Sequence, residues 1–419
     1  MAEERRPAGA ETRSVNQRTL IKQVQDFVDA IERSSEKGST VHTTAEAIIT
    51  RFRDDLGIHG GRLYRREGSS YVLIATFGDA RVLPEGFSVP AAYAPIAMAI
   101  EEGTVFMEAS DPRLDRSLEE VLGAEQFAAI EVDDGEHILA FDVSPGHAGE
   151  DAQFSLGILR HAINQKIRTQ RMEGIFHQAR KIQASILPRR VPIYGEFDMA
   201  GRSDPMESVG GDFYDFIPIT DKIFGLAIAD VSGHGLPAAL QVRDIYMGLR
   251  MGLSRDLKII RTVERLNQII HKSTLTSRFV SLFYGELEPN GVFIYVNAGH
   301  PPPFFLSASG EVRQLEEGGA VLGPVLDASY ERGFVRMSPG DTVVLYTDGM
   351  IEATPAESEA GPEFGVDRLI EIARVLRGRP SREIAEAMMK AVESYRGDGE
   401  AQDDRTVVVV TYPPTPTGT

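Results

Sequence analysis

The chain contains no cysteine, which excludes disulfides, zinc–thiolate sites and thiol nucleophiles and fits a reducing cytoplasm, the expected location. No run of about 18 apolar residues occurs, so no membrane-spanning helix is expected. The opening MAEERRPAGAETRS is polar and lacks the apolar core of a secretory signal. Positive charge is short: 44 Lys and Arg against 62 Asp and Glu leave a formal net charge of −18 over 419 residues. A surface this acidic disfavours nucleic acid and anionic membrane as partners. There is no Walker-type phosphate loop, no Ser-His-Asp pattern and no dinucleotide fingerprint. Chemistry through a protein nucleophile is therefore not expected.

Hydrophobic periodicity divides the chain. Residues 1–16 and 413–419 read as disordered on composition. Residues 17–56 read as helical, with Leu20, Val24, Phe27 and Ile31, then Ala45, Ile48, Ile49 and Phe52, at spacings of three and four. GGRLYRREGSSYVLIATFG reads as a hairpin, residues 84–100 as a Pro/Ala-rich connection, and FAAIEV and HILAFDV as a second strand pair. This order over residues 17–150 predicts a small α+β sensor domain. Residues 151–187 read as one long helix ending at Pro188. Within it Met172, Ile175, Ala179, Ile182 and Ile186 step by 3, 4, 3 and 4, a coiled-coil seam that predicts a homodimer.

Residues 188–412 carry eight strand patterns: FDMAGRS, FYDFIPI, IFGLAIAD, FVSLFYGELE, GVFIYVNAG, PPFFLSA, TVVLYTD and RTVVVVTY. Helices are expected at 236–252, 258–274, 366–376 and 380–395. Strands that are mostly adjacent and hairpin-spaced predict antiparallel sheets flanked by helices.

Four short acidic motifs punctuate this second domain. GGDFYD offers Asp212 and Asp215, which face opposite sides of an extended segment, and Asp212 is favoured as a ligand. IADVSGHG ends a buried strand in Asp230, followed by the Val231 carbonyl and a tight turn through Gly233 and His234. His234 can be read as a metal ligand, an orienting group, a general acid or an ordinary turn histidine; hard cations prefer oxygen, so it is not placed among the ligands. YTDG ends another apolar strand in Asp348, and QDDRT supplies Asp403 and Asp404, of which Asp403 is preferred. NAGHPPPFF reads as a rigid turn, with His300 near the cleft. Carboxylates at strand ends beside glycines suit two divalent cations, Mn²⁺ or Mg²⁺, activating a water for phosphoester hydrolysis.

Seven stretches in order resemble the bacterial branch of the metal-dependent (PPM-type) protein serine/threonine phosphatases, the SpoIIE/RsbU-like group. They are ARKIQASILP, ESVGGDFYDF, IADVSGHGLPAAL, RFVSLFYGEL, YVNAGHPPPFF, LYTDGMIEA and QDDRTVVVV, together covering nearly all of 179–412. The element order of 17–150 resembles a GAF domain. The resemblance implies a β-sandwich flanked by helices with two metal ions at one end. Asp212, Asp230, Asp348 and Asp403 match the carboxylate ligands, and the Val231 carbonyl matches the backbone ligand. It implies phosphoserine or phosphothreonine substrates on a regulatory partner, commonly a STAS-type anti-sigma-factor antagonist. The N-terminal domain would sense a small ligand or protein. This group generally lacks the arginine that grips phosphate in eukaryotic relatives, and no clear equivalent stands out in this sequence. The alternatives are a non-catalytic scaffold retaining the fold, which the intact acidic set disfavours, and a two-metal phosphodiesterase, disfavoured by the scarcity of histidine near the motifs.

Overall fold

A computed structural model describes residues 17–33, 40–108, 110–124, 126–145, 149–188, 190–253, 258–273, 279–356, 361–399 and 401–414. The two expected disordered termini thus lie outside the described residues, apart from Pro413 and Pro414. The chain divides into two units, Met1–Gly174 and Ile175–Thr419.

The first unit begins with helices α1 (Gln17–Arg33) and α2 (Thr40–Phe52). The single helical region expected over 17–56 is therefore two helices, with residues 34–39 outside the described set. Ala45, Ile48, Ile49 and Phe52 turn one face of α2 onto a sheet and are buried there. The sheet comprises β1 (Ile58–Glu67), β2 (Ser70–Gly78), β3 (Ser88–Pro90), β4 (Thr104–Glu108), β5 (Gln126–Val132) and β6 (His137–Val143), in the order β3-β2-β1-β6-β5-β4. Both expected hairpins form, β1 with β2 and β5 with β6. The four-residue turn of the second, residues 133–136, takes Asp133, Asp134 and Gly135 through the left-handed region at φ 62°, 52° and 83°.

The connection expected over 84–100 contains β3 and most of helix α3 (Ala94–Glu102), and helix α4 (Arg116–Leu122) follows β4. Its prolines read as breakers, yet Pro95 sits in the first turn of α3, where a missing N–H is harmless. Helix α5 (Gly149–Ile186) follows. Its part within the first unit is strapped to the β5–β6 hairpin by Arg160 on Glu131, Arg168 on Asp134 and Arg171 on Asp133.

The second unit takes in the last part of α5 and two packed sheets. In chain order its strands are β7 (Asp198–Asp204), β8 (Phe213–Thr220), β9 (Ile223–Val231), β10 (Val280–Leu287), β11 (Val292–Ala298), β12 (Phe304–Leu306), β13 (Val312–Gln314), β14 (Gly318–Gly319), β15 (Gly333–Arg336), β16 (Thr342–Tyr346) and β17 (Arg405–Thr411). One sheet runs β14-β11-β10-β9-β8 with β15 on β11, and the other runs β13-β12-β16-β17-β7. Apart from the short β11–β14 pair, the pairings are antiparallel. All eight expected strands are present; β13, β14 and β15 are additions too short to carry a period.

Alternation along each strand decides what it faces. On β9, Phe224, Leu226 and Ile228 enter the core between the sheets. Ala227, Ala229 and Val231 pack outward under helices α6 (Gly235–Leu253) and α7 (Ile259–Lys272). On β17, Val408 and Val410 face the inter-sheet core. Val407 and Val409 face helices α8 (Val366–Val375) and α9 (Ser381–Arg396). The result is a β-sandwich with a helical layer on each outer face.

Candidate metal centre

The same parity delivers the acidic residues to one end of the sandwich. Asp230 continues the inward series of β9, and Asp404 and Thr406 continue that of β17. Asp212 stands immediately before β8. It is 3% exposed, and one of its oxygens accepts from Thr347 Oγ1 at 2.9 Å and Thr406 Oγ1 at 2.6 Å. Asp348 opens a short 3₁₀ turn (Asp348–Met350) directly after β16.

The electrostatics mark these groups as one cluster. Burial, followed by the charges of Asp348, Asp403, Asp404 and Glu352, raises the Asp230 carboxyl to about 7. Burial, Asp230 and Asp404 hold Asp212 well above the ordinary carboxylate range, against the two threonine hydrogen bonds. Asp348 is raised by burial and by Asp403, and Glu352 by burial and by Asp348. No basic side chain ranks among the dominant influences on any of them. Carboxylates crowded into a half-buried space without a counter-charge are strongly unfavourable unless protonated or bridged by cations.

The donor set is all oxygen, which fits Mg²⁺ or Mn²⁺. Among the described residues no three acidic or histidine side chains close around one point. The arrangement is an open acidic cleft, suited to ions that keep several waters and take few protein ligands. The backbone is shaped to leave that space. A Cβ on Gly211 would stand 2.8 Å from the Val231 carbonyl and 3.4 Å from Asp230 Oδ1. A Cβ on Gly349 would collide with the Asp404 carbonyl.

The structure brings Asp212, Asp230, Asp348, Asp403 and Asp404 together, but Asp403 and Asp404 differ in their surroundings. Asp404 is buried and spends its oxygens on the Met206 N–H at 2.7 Å and the Gly211 N–H at 2.5 Å, tying down the loop before Asp212. Asp403 is exposed toward the cleft, with one oxygen accepting the Asp404 N–H at 2.8 Å. Asp215 is elsewhere: it pairs with Arg250 at 2.8 Å and takes no part in the cluster. His234, beside Gly233 in its turn, is exposed and its Nδ1 lies 2.7 Å from Glu207. His300 is fully buried, donating from Nε2 to the Tyr346 carbonyl at 3.1 Å and accepting the Ser281 hydroxyl at 2.9 Å. Burial lowers its pKa to about 3, so it is a neutral strut fixing the strand that leads to Asp348.

Thr347, Thr406, Glu352, Glu207 and Gln183 were not singled out from the sequence. All five fall inside or beside the quoted motifs, but their partners are distant in the chain. Gln183, near the end of α5, is buried and exchanges two hydrogen bonds with Gly210.

Comparison with known proteins agrees with this geometry. The family described as Stage II sporulation protein E (SpoIIE) matches residues 220–413. Phosphoserine phosphatase RsbU of Bacillus subtilis is 31% identical over 176 residues, 42% of this chain and 52% of that protein. Phosphoserine phosphatase RsbP of the same organism is 23% identical over 240 residues, 55% of this chain and 56% of that protein. The chain thus spans about half the length of these curated relatives. Among solved structures, the PP2C domain of SiaA from Pseudomonas aeruginosa superposes with a TM-score of 0.52 at 22% identity, covering 58% of this chain and 97% of that domain. The second unit therefore has the PP2C fold, as its paired sheets and outer helices indicate.

Proposed function

We propose that the second unit is a metal-dependent protein phosphatase that hydrolyses phosphoserine or phosphothreonine on a regulatory partner protein. The observation that carries this reading is the cluster around Asp230: four further carboxylates act on one half-buried aspartate, with no basic side chain among its main influences in the described residues, inside a segment that matches the SpoIIE family. The names of RsbU and RsbP support phosphoserine as the substrate group. A STAS-type anti-sigma-factor antagonist is the proposed partner.

Asp212, Asp230, Asp348, Asp403 and the Val231 carbonyl are the proposed holders of two Mn²⁺ or Mg²⁺ ions. Such ions supply Lewis acidity toward a phosphoryl group and lower the pKa of water at neutral pH. The remaining groups prepare the cleft. Thr347 and Thr406 orient the Asp212 carboxylate. Asp404 and Gln183 fix the loop from Met206 to Gly211. His234, held by Glu207 at the exposed edge, is the proposed proton donor to the departing seryl oxygen.

Regulation is assigned to the first unit. Its cavity is lined by Arg62, Tyr93, Glu119 and Asp142 among others, with Glu119 Oε2 and Arg62 Nε buried and unpartnered among the described residues, which supports a small polar ligand. Helix α5 belongs to both units, and its residue Gln183 holds the loop of the acidic cleft, which supports α5 as the transmitter. Met172, Ile175 and Ile182 stand exposed along it, which supports dimerisation through this helix.

The test is hydrolysis of a phosphoserine peptide and of p-nitrophenyl phosphate with added manganese, wild type beside Asp230→Asn. Turnover that needs the metal and disappears in the variant is expected. Metal-independent turnover, or turnover equal in the variant, overturns the reading.

A further inference from the structure

Next to the acidic cleft lies a cavity of about 110 Å³. One wall is shared with the cleft and carries Gly349, Glu352 and Asp403; the other carries Arg396 from α9 and Arg405 from β17, with Gln402 between. Strand parity explains the division. Thr406 points between the sheets, whereas Arg405 shares the outward face of Val407 and Val409, toward α9.

The two arginines are unusual in this chain. Arg405 Nε and Nη1 and Arg396 Nε are enclosed without a hydrogen-bond partner among the described residues. No ion pair forms on either side chain among those residues, although the chain carries 62 acidic residues. The acids that act most on Arg405 do not pair with it: Asp204 is bonded to Arg202 at 3.1 Å, and Glu393 forms no ion pair with Arg405 among the described residues. Arg396 and Arg405 are also close enough for their like charges to oppose each other. Enclosed guanidinium N–H groups without acceptors are costly, and two facing cations add repulsion. A tetrahedral oxyanion relieves both, because its oxygens accept from planar guanidinium forks.

We propose that Arg396 and Arg405 form a phosphate subsite beside the metal centre, reached across the wall that Asp403 and Glu352 share with it. The proposal rests on the phosphatase reading and deepens it. The sequence shows no phosphate-gripping arginine because Arg405 reads as one more residue of an apolar strand and Arg396 as the end of a polar helix. The ligand chemistry is a phosphate dianion, either the phosphoryl group of the substrate or the orthophosphate released from it.

The test uses the full chain with magnesium, as wild type, Arg405→Gln, Arg405→Lys and Arg396→Gln. Binding of inorganic phosphate is read by titration calorimetry and thermal shift, independently of turnover. Both glutamine variants should bind phosphate at least about tenfold more weakly, the scale of one lost charge-assisted hydrogen bond. Arg405→Lys should recover part of the affinity, and the phosphate-free melting temperature of Arg405→Gln should match or exceed that of wild type. Phosphate binding unchanged in both glutamine variants, or absent from wild type, overturns the subsite. Turnover then separates the sources. A raised KM for a phosphoserine peptide with kcat retained assigns the substrate phosphoryl group, and weakened product inhibition at constant KM assigns released phosphate. If neither changes, the subsite is overturned as a part of the reaction. A protein that binds phosphate through Arg405 yet shows no metal-dependent turnover keeps the subsite and overturns the phosphatase reading instead.

Discussion

Gln183 and Gly210 hold each other through two hydrogen bonds: Gln183 Nε2 donates to the Gly210 carbonyl at 2.5 Å, and the Gly210 N–H donates to Gln183 Oε1 at 3.2 Å. A side-chain amide thereby completes the backbone of the loop that leads into Asp212. Gln183→Leu keeps the size but leaves both Gly210 groups unpaired, at a cost of about 1–3 kcal/mol. The expected outcome is a lower melting temperature and a higher manganese concentration for half-maximal turnover of p-nitrophenyl phosphate. An unchanged metal requirement would show that the clasp does not shape the cleft.

Asp230 makes stability depend on pH in a definite direction. Its folded pKa of about 7 lies above the ordinary value of 3.8, so between those limits the native state holds the extra proton. Its contribution to stability is greatest below pH 4 and is lost as pH rises toward 7. Without metal, Asp230→Asn should therefore gain stability relative to wild type as pH is raised from 5 to 8. Saturating magnesium should abolish that gain, since a cation replaces the proton in wild type only. Thermal melts of both proteins across this range, with and without chelator, check the sign.

Asp215 is a buried acid of a different kind. Breaking its ion pair with Arg250, which is 42% exposed, should cost about 1–3 kcal/mol, below the range for a fully buried pair. Asp215→Asn is expected to lower the melting temperature and leave the metal dependence of turnover intact. A shifted metal requirement would place Asp215 in the centre after all.

Gly349 is held to its identity by space rather than by φ. In Gly349→Ala the new methyl group meets the Asp404 carbonyl, a backbone atom that cannot swing away. Displacement of the 401–404 segment carries Asp403 with it, so turnover should fall by at least about a hundredfold, as for a misplaced catalytic group. Circular dichroism should show the fold retained. A fully active Gly349→Ala protein would contradict the contact.

The long strands and the four acidic motifs were legible because each states its burial locally. FGLAIAD and RTVVVVTY are apolar on both faces, as strands covered by a second sheet and by helices must be. What escaped depends on pairings that no window contains. The division between Asp403 and Asp404 follows from amides at 206 and 211, nearly two hundred residues away. Thr347 and Thr406 join Asp212 only because β16 and β17 pair. Helix α3 was hidden by prolines that read as breaks, and β14 is too short at two residues to show any period.

Strand β17 lies between β16 and β7 in its sheet, and Asp404 at its threshold fastens the loop of residues 206–211. The centre is thus assembled from the earliest and the latest parts of the second unit, with the closing element translated last. During synthesis Asp212, Asp230 and Asp348 are all made before the segment that fastens their loop and fills the gap in their sheet. A ribosome-bound chain halted before residue 403 should carry Asp212, Asp230 and Asp348 but neither the residue that fastens their loop nor the strand that fills their sheet, and no working cleft. The acidic cleft would then take shape only once the last strand of the second unit has left the ribosome, so the site is present whole or not at all.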